Sequence, residues 1–170
     1  MKKKSYIACL CTLALGLSVT SCDDHADDAR FRSYSPLFSD VEFKMLENQQ
    51  APLTANEKMV ITGVQKKFGK LLNLTKYEWS VDTVPGNTVV GATHFYKKEV
   101  VYDKDRSNPT DTVIMKYPGS YQITFRGSYS TSGMGERMNN TEKIDKGSIN
   151  YEGAPHLYKV TIRKRFTVNK

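Results

Sequence analysis

The stretch that decides the fold is Tyr121-Gln122-Ile123-Thr124-Phe125-Arg126-Gly127-Ser128-Tyr129-Ser130. Tyr121, Ile123, Phe125 and Tyr129 fall on one side of a two-residue period with Gly127 between them, and Gln122, Thr124, Arg126, Ser128 and Ser130 fall on the other. Successive side chains of a strand point to opposite faces, so the pattern predicts a half-buried β-strand with one core face and one wet face. Downstream, Leu157 to about Val168 repeats it, with Tyr158, Val160, Ile162, Phe166 and Val168 inward and Lys159, Thr161, Arg163, Arg165 and Thr167 outward. Lys164 breaks the inward row, which points to a bulge or to the rim of the fold.

Upstream the same period recurs in shorter pieces. Val41, Phe43 and Met45 alternate with Glu42 and Lys44, although Leu37, Val41 and Met45 would also suit a short helix; the strand is preferred. Met59 to Val64 follows Pro52 and Asn56. Tyr77, Trp79 and Val81 alternate with polar residues and stop at Pro85-Gly86-Asn87, which is turn chemistry. Thr93 to Tyr102 is aromatic and β-branched, and Thr112 to Tyr117 leads into Pro118-Gly119. Seven short strands separated by turn residues predict an all-β, antiparallel sandwich.

Tyr77-Glu78-Trp79-Ser80-Val81, followed by Tyr117-Pro118-Gly119-Ser120-Tyr121-Gln122-Ile123-Thr124-Phe125, resembles the PKD and related immunoglobulin-like domains. The resemblance covers roughly Thr54 to Val168. It implies that Trp79 packs in the core from the third strand and that the Pro-Gly-x-Tyr corner opens the sixth, so Trp79 and Tyr121 are structural.

The chain has 170 residues and a formal net charge of +7. With 39% hydrophobic and 25% charged residues, disorder throughout and a multi-spanning membrane protein are both excluded. Lys2, Lys3 and Lys4 precede an apolar run from Ile7 to Val19, too short for the roughly 20 residues that a spanning helix needs, and this is the form of a signal peptide. The run ends in Val19-Thr20-Ser21-Cys22, which resembles the bacterial lipobox. That resemblance implies cleavage before Cys22 and its conversion to a diacylglyceryl thioether, so that the protein is held at a membrane through lipid without crossing it. Cys9 and Cys11 leave with the signal and Cys22 is consumed, which removes thiolate catalysis and cysteine zinc sites.

Asp23-Asp24-His25-Ala26-Asp27-Asp28 carries four carboxylates and no large apolar side chain, so it reads as an extended tether. It also resembles the acidic export signal of bacteroidete-type surface lipoproteins, which implies display on the outer leaflet of the outer membrane. The organisation expected is a signal peptide over 1–21, a lipidated cysteine and acidic tether over 22–35, and one sandwich domain over 36–170. From Ser33 to Lys170 the basic residues exceed the acidic ones by six. Nucleic acid is not a partner expected for an exported domain, whereas an anionic polysaccharide, lipid phosphate or an acidic protein surface suits the charge.

No catalytic constellation is legible. His94 and His156 lack a neighbouring nucleophile or second ligand, and Gly133-Met134-Gly135 lacks the third glycine and the strand-to-helix setting of a phosphate cradle. Neither an enzyme nor a cofactor is expected. Thr131 to Pro155 is long for a sandwich connection, and Thr141–Asp145 and Ser148–Glu152 flank Lys146-Gly147 as a small hairpin within it. In an immunoglobulin-like order this insertion shares a rim with the Gln65–Asn73 connection. Lys66, Lys67, Lys70, Arg137, Lys143 and Lys146 would supply charge there, and Phe68, Met134, Met138 and Tyr151 contact surface. The candidate binding residues are accordingly Lys66, Lys67, Phe68, Arg137, Lys143 and Tyr151.

Asp82-Thr83-Val84 and Asp111-Thr112-Val113 resemble the short O-glycosylation sites of exported bacteroidete proteins, with Thr83 the better candidate because it borders a turn. The function expected is a non-catalytic binding or assembly module for a glycan or a partner protein at the cell surface. The runner-up is a periplasm-facing structural subunit of an envelope secretion or conjugation machine.

Overall fold

In a computed structural model the described residues are 32–84, 94–101 and 107–170, with 94–101 described by backbone alone. Among them there are eleven strands and no helix: β1 (Arg32–Ser33), β2 (Leu37–Met45), β3 (Lys58–Lys67), β4 (Leu72–Thr83), β5 (His94–Val101), β6 (Thr110–Ile114), β7 (Gly119–Thr131), β8 (Met134–Gly135), β9 (Met138–Ile144), β10 (Gly147–Ala154) and β11 (Leu157–Val168). A six-stranded sheet has the order β5-β4-β7-β11-β10-β9, and a three-stranded sheet has the order β2-β3-β6. Every neighbour in both is antiparallel. β1 and β8 form a short parallel pair at one end.

The inward rows read from the sequence meet face to face. Trp79, Phe125, Ile162 and Ile149 lie side by side across β4, β7, β11 and β10, and all four are buried. The smaller sheet closes over them: Phe38 lies 5.3 Å from Phe125, and Phe43 stacks on Phe166 at 4.4 Å between ring centroids. Each fully buried side chain of this size contributes about 1.5–3 kcal/mol. Among the described residues the Trp79 indole N–H has no hydrogen-bond partner. An unmet donor costs about 1–3 kcal/mol, less than the roughly 5 kcal/mol from burying about 200 Å² of aromatic surface, so the ring remains net stabilising. The Tyr121 hydroxyl donates to the Tyr117 carbonyl at 2.7 Å, locking the corner that opens β7.

All seven expected strands are present, and β2 is a strand rather than a helix. Thr131 to Pro155 differs from expectation. It holds β8, β9 and β10, and the hairpin of β9 and β10 extends the larger sheet beside β11 instead of standing as a connection at a rim. Of the bulge or rim expected at Lys164, there is no bulge, because β11 keeps an unbroken register with β7 from Leu157 to Val168. A register shift occurs instead in β2, between Phe38 and Asp40. It explains how Phe38 and Val41, three residues apart, both point inward. The folded body also includes Arg32–Ser35, with Ser33 and Ser35 buried, so it starts ahead of residue 36.

Candidate functional site

The outer face of the six-stranded sheet bears an open cleft of about 630 Å³ at the end where β7 begins and β11 finishes. Ser120 and Gln122 from β7, Arg163, Arg165 and Thr167 from β11, Gly147 and Ser148 from β10, Val84 and Lys146 line it. The pairing of β10 with β11 makes this grouping. Ser148 sits opposite Arg163, and the backbone N–H of Arg165 donates to the Lys146 carbonyl at 3.0 Å. Lys143 sits opposite Ser148 on the same face and extends the row to the sheet edge. Lys146 closes the β9–β10 turn in a left-handed conformation, φ 56°. Gly147 follows it because a Cβ there would lie 2.0 Å from the Arg163 carbonyl oxygen.

Among the described residues no ion pair engages Lys146, Arg163 or Arg165, whereas Lys66, Arg126 and Lys164 are each held by a carboxylate. Asp82 faces Gln122 across the β4–β7 pairing and Asp145 precedes Lys146, but neither lines the cleft. The arrangement can hold negatively charged groups by ionic hydrogen bonds, with Gln122, Ser148 and Thr167 supplying neutral ones.

The residues singled out as a rim are split by the structure. Lys66, at the end of β3, donates to Glu142 of β9 at 2.8 Å and ties the two sheets together. Lys67 lies 3.9 Å above the Tyr34 ring, and Phe68, Arg137 and Met134 are exposed. Backbone bonds from Lys70 to Tyr34 and from Ser132 to Leu71 gather the β3–β4 connection, the chain entry and the β7–β8 turn at one end of the domain. Ser33 donates to Thr131 at 3.1 Å there. That end is opposite the cleft: Thr131 closes β7 and Ser120 lies eleven residues earlier, roughly 36 Å along the strand. Lys143 therefore belongs with the cleft, while Lys66, Lys67, Phe68 and Arg137 do not line it.

Tyr151 is not contact surface. It is fully buried, its hydroxyl accepts from the Phe38 N–H at 2.9 Å and donates to the Phe38 carbonyl at 3.2 Å. A two-residue alternation in β10 places Ile149 and Tyr151 inward, and the hydroxyl satisfies the backbone beside the β2 register shift. Burial pushes it up to about 12, against a smaller lowering by the Phe38 bond. Lys164 is inward too, 12% exposed, donating to both Asp40 oxygens at 2.6 and 2.7 Å and to the Val41 carbonyl at 2.9 Å. All three ammonium protons are satisfied, which is what lets a lysine occupy a core row.

Thr83 ends β4 on the inward row opposite Tyr121 and is half-buried, and Thr112 on β6 is exposed. Cys22 and the acidic tether lie outside the described residues. His156 occupies a turn with φ 78° and its Nδ1 is 3.4 Å from the Thr131 carbonyl. Among the described residues no three His, Cys, Asp or Glu side chains converge as metal ligands. Fold and cleft together define a β-sandwich-like domain with an open basic groove on one outer face. No family model matches the chain, and no curated protein or solved structure matches it either.

Proposed function

We propose that this protein is an outer-membrane lipoprotein, anchored through lipid on Cys22 and displayed at the cell surface, whose sandwich acts as a non-catalytic binding module for a glycan or partner protein. The observation that carries this reading is the polarity of the domain. The chain enters at Arg32–Ser33, against Thr131 and β8, and the basic cleft lies at the far end of β7. The lipid proposed on Cys22 therefore connects to the sandwich through Arg32, at the end that does not carry the cleft. The immunoglobulin-like (PKD-like) assignment belongs to the same proposal. It is supported by β2-β3-β6 opposing β5-β4-β7-β11, by buried Trp79 on β4, and by the Tyr121–Tyr117 corner bond.

The test is protease treatment of intact cells of the native host. Surface display predicts degradation before lysis; protection until lysis contradicts it. The second reading, a periplasm-facing subunit of an envelope secretion or conjugation machine, draws on Phe68, Met134 and Leu157. These are 38%, 57% and 49% exposed, and such apolar exposure suits a protein contact. Protection of intact cells together with co-purification in a stable envelope complex would favour it.

A further inference from the structure

We infer that the cleft lined by Lys146, Arg163 and Arg165 is a binding site for an anionic polysaccharide, held through its carboxylate or sulfate groups. The inference rests on the binding-module reading and names the ligand class of its cleft. Arg163 and Arg165 project from the same face of β11 two residues apart, about 6.7 Å, and Lys146 adjoins Arg165 from the neighbouring turn. Lys143, opposite Ser148, prolongs the line of charge to the sheet edge. The cations are thus spread along an open groove instead of converging on one point, which matches charges repeated along a chain better than a single phosphate.

What the groove lacks is equally informative. Among the described residues its lining has no exposed aromatic ring, since Phe166 is only 7% exposed. A stacking platform for neutral sugars or nucleobases is therefore missing among the described residues. Among the described lining residues Val84 is the one other apolar side chain, smaller than the aromatic anchors on which protein–protein contacts concentrate their energy. Hydroxyl and amide groups of Gln122, Ser148 and Thr167 line the cleft beside the cations and are suited to the hydroxyls of a sugar ring. Individual exposed ion pairs are weak, so affinity must come from several engaged together along one chain.

The test is calorimetric titration of the full chain in detergent with polygalacturonate, chondroitin sulfate, neutral dextran and polyglutamate. Either anionic polysaccharide should bind and dextran should not, the preference between the two reporting whether carboxylate or sulfate is recognised. Binding should weaken at least tenfold from about 0.1 M to about 1 M salt, as the screening length falls from roughly 10 Å to roughly 3 Å. Arg163→Ala with Arg165→Ala, and separately Lys146→Ala with Arg165→Ala, should each weaken it about tenfold or more, because multivalent contacts are lost together. All three side chains are exposed, and unchanged circular dichroism verifies folding. Arg137→Ala, at the other end, should leave binding unchanged.

Full affinity in both double variants would overturn the site. Equal affinity for polyglutamate would reassign the cleft to acidic protein surfaces, and dextran binding as tight as polyanion binding would overturn the charge argument. A chain that is degraded on intact cells yet binds neither polysaccharide leaves surface display standing and removes this ligand.

Discussion

Tyr151 and Lys164 show how a residue's type conceals its role. An exposed-looking tyrosine in a polar hairpin and a lysine in an apolar row both reach across the sandwich, to Phe38 and Asp40 respectively. Tyr151→Phe keeps the ring and strands both backbone groups of Phe38, so it should destabilise the fold by about 1–3 kcal/mol in denaturant unfolding. The tyrosine hydroxyl also links stability to pH. Its pKa rises from 10.0 unfolded to about 12 folded, so its contribution is complete below pH 10 and is lost as pH climbs through about 12. Burial raises the Tyr129 hydroxyl further in the same direction. Alkaline titration followed by circular dichroism should show unfolding that begins above pH 10, and a shallower decline in the Tyr151→Phe protein. The Lys164–Asp40 pair is asymmetric, with Lys164 12% and Asp40 34% exposed. Asp40→Ala leaves an unpaired ammonium in the core and should cost about 2–4 kcal/mol, whereas Lys164→Met leaves a carboxylate that water can reach and should cost less. Equal losses would contradict that account. The break in the inward row at Lys164 was legible, but as a bulge or the rim of the fold. Its partner was not, since Asp40 lies 124 positions away and only the β2 register shift aims it.

Among the elements, the strands were legible wherever one face is core and the other wet. The two-residue period of β7 and β11 is a direct imprint of a sheet covered on one side, and the same holds for Tyr77, Trp79 and Val81 in β4. The β9–β10 hairpin was legible as a hairpin but not as part of the sheet. Its outer strand is polar between Met138 and Ile144, and its pairing to β11 depends on a close approach at Gly147 that no local pattern encodes. Once docked it secures the smaller sheet through Tyr151 and through Glu142 to Lys66. Ile149→Ala, in a fully buried position, should therefore cost about 2–5 kcal/mol in unfolding experiments, a loss that a mobile loop would not produce. Gly147→Ala should be similarly damaging, because its methyl group would meet the β11 backbone and neither strand can yield without breaking pairs. The cleft arose from this same register. Arg163 and Arg165 were legible as outward residues of β11 and Lys146 as a turn residue, but their union needed the pairing of Gly147 with Lys164.

At the scale of the whole molecule the two ends of the sandwich differ in chemistry. Chain entry, Lys67 over Tyr34, and exposed Phe68, Met134 and Leu157 mark one end, and Lys146, Arg163 and Arg165 mark the other. In the proposed account this asymmetry matters because the lipid-bearing segment joins the sandwich at the first end and leaves the second free to bind. Everything about placement then depends on the chemistry of Cys22. The most direct measurement is the mass of the N-terminal peptide of the protein recovered from the membrane fraction of its native host. The account predicts a peptide beginning at Cys22 whose sulfur carries a diacylglyceryl group, with the protein partitioning into detergent. A mature chain that begins elsewhere, or that is found in culture fluid with an unmodified Cys22 thiol, would contradict it.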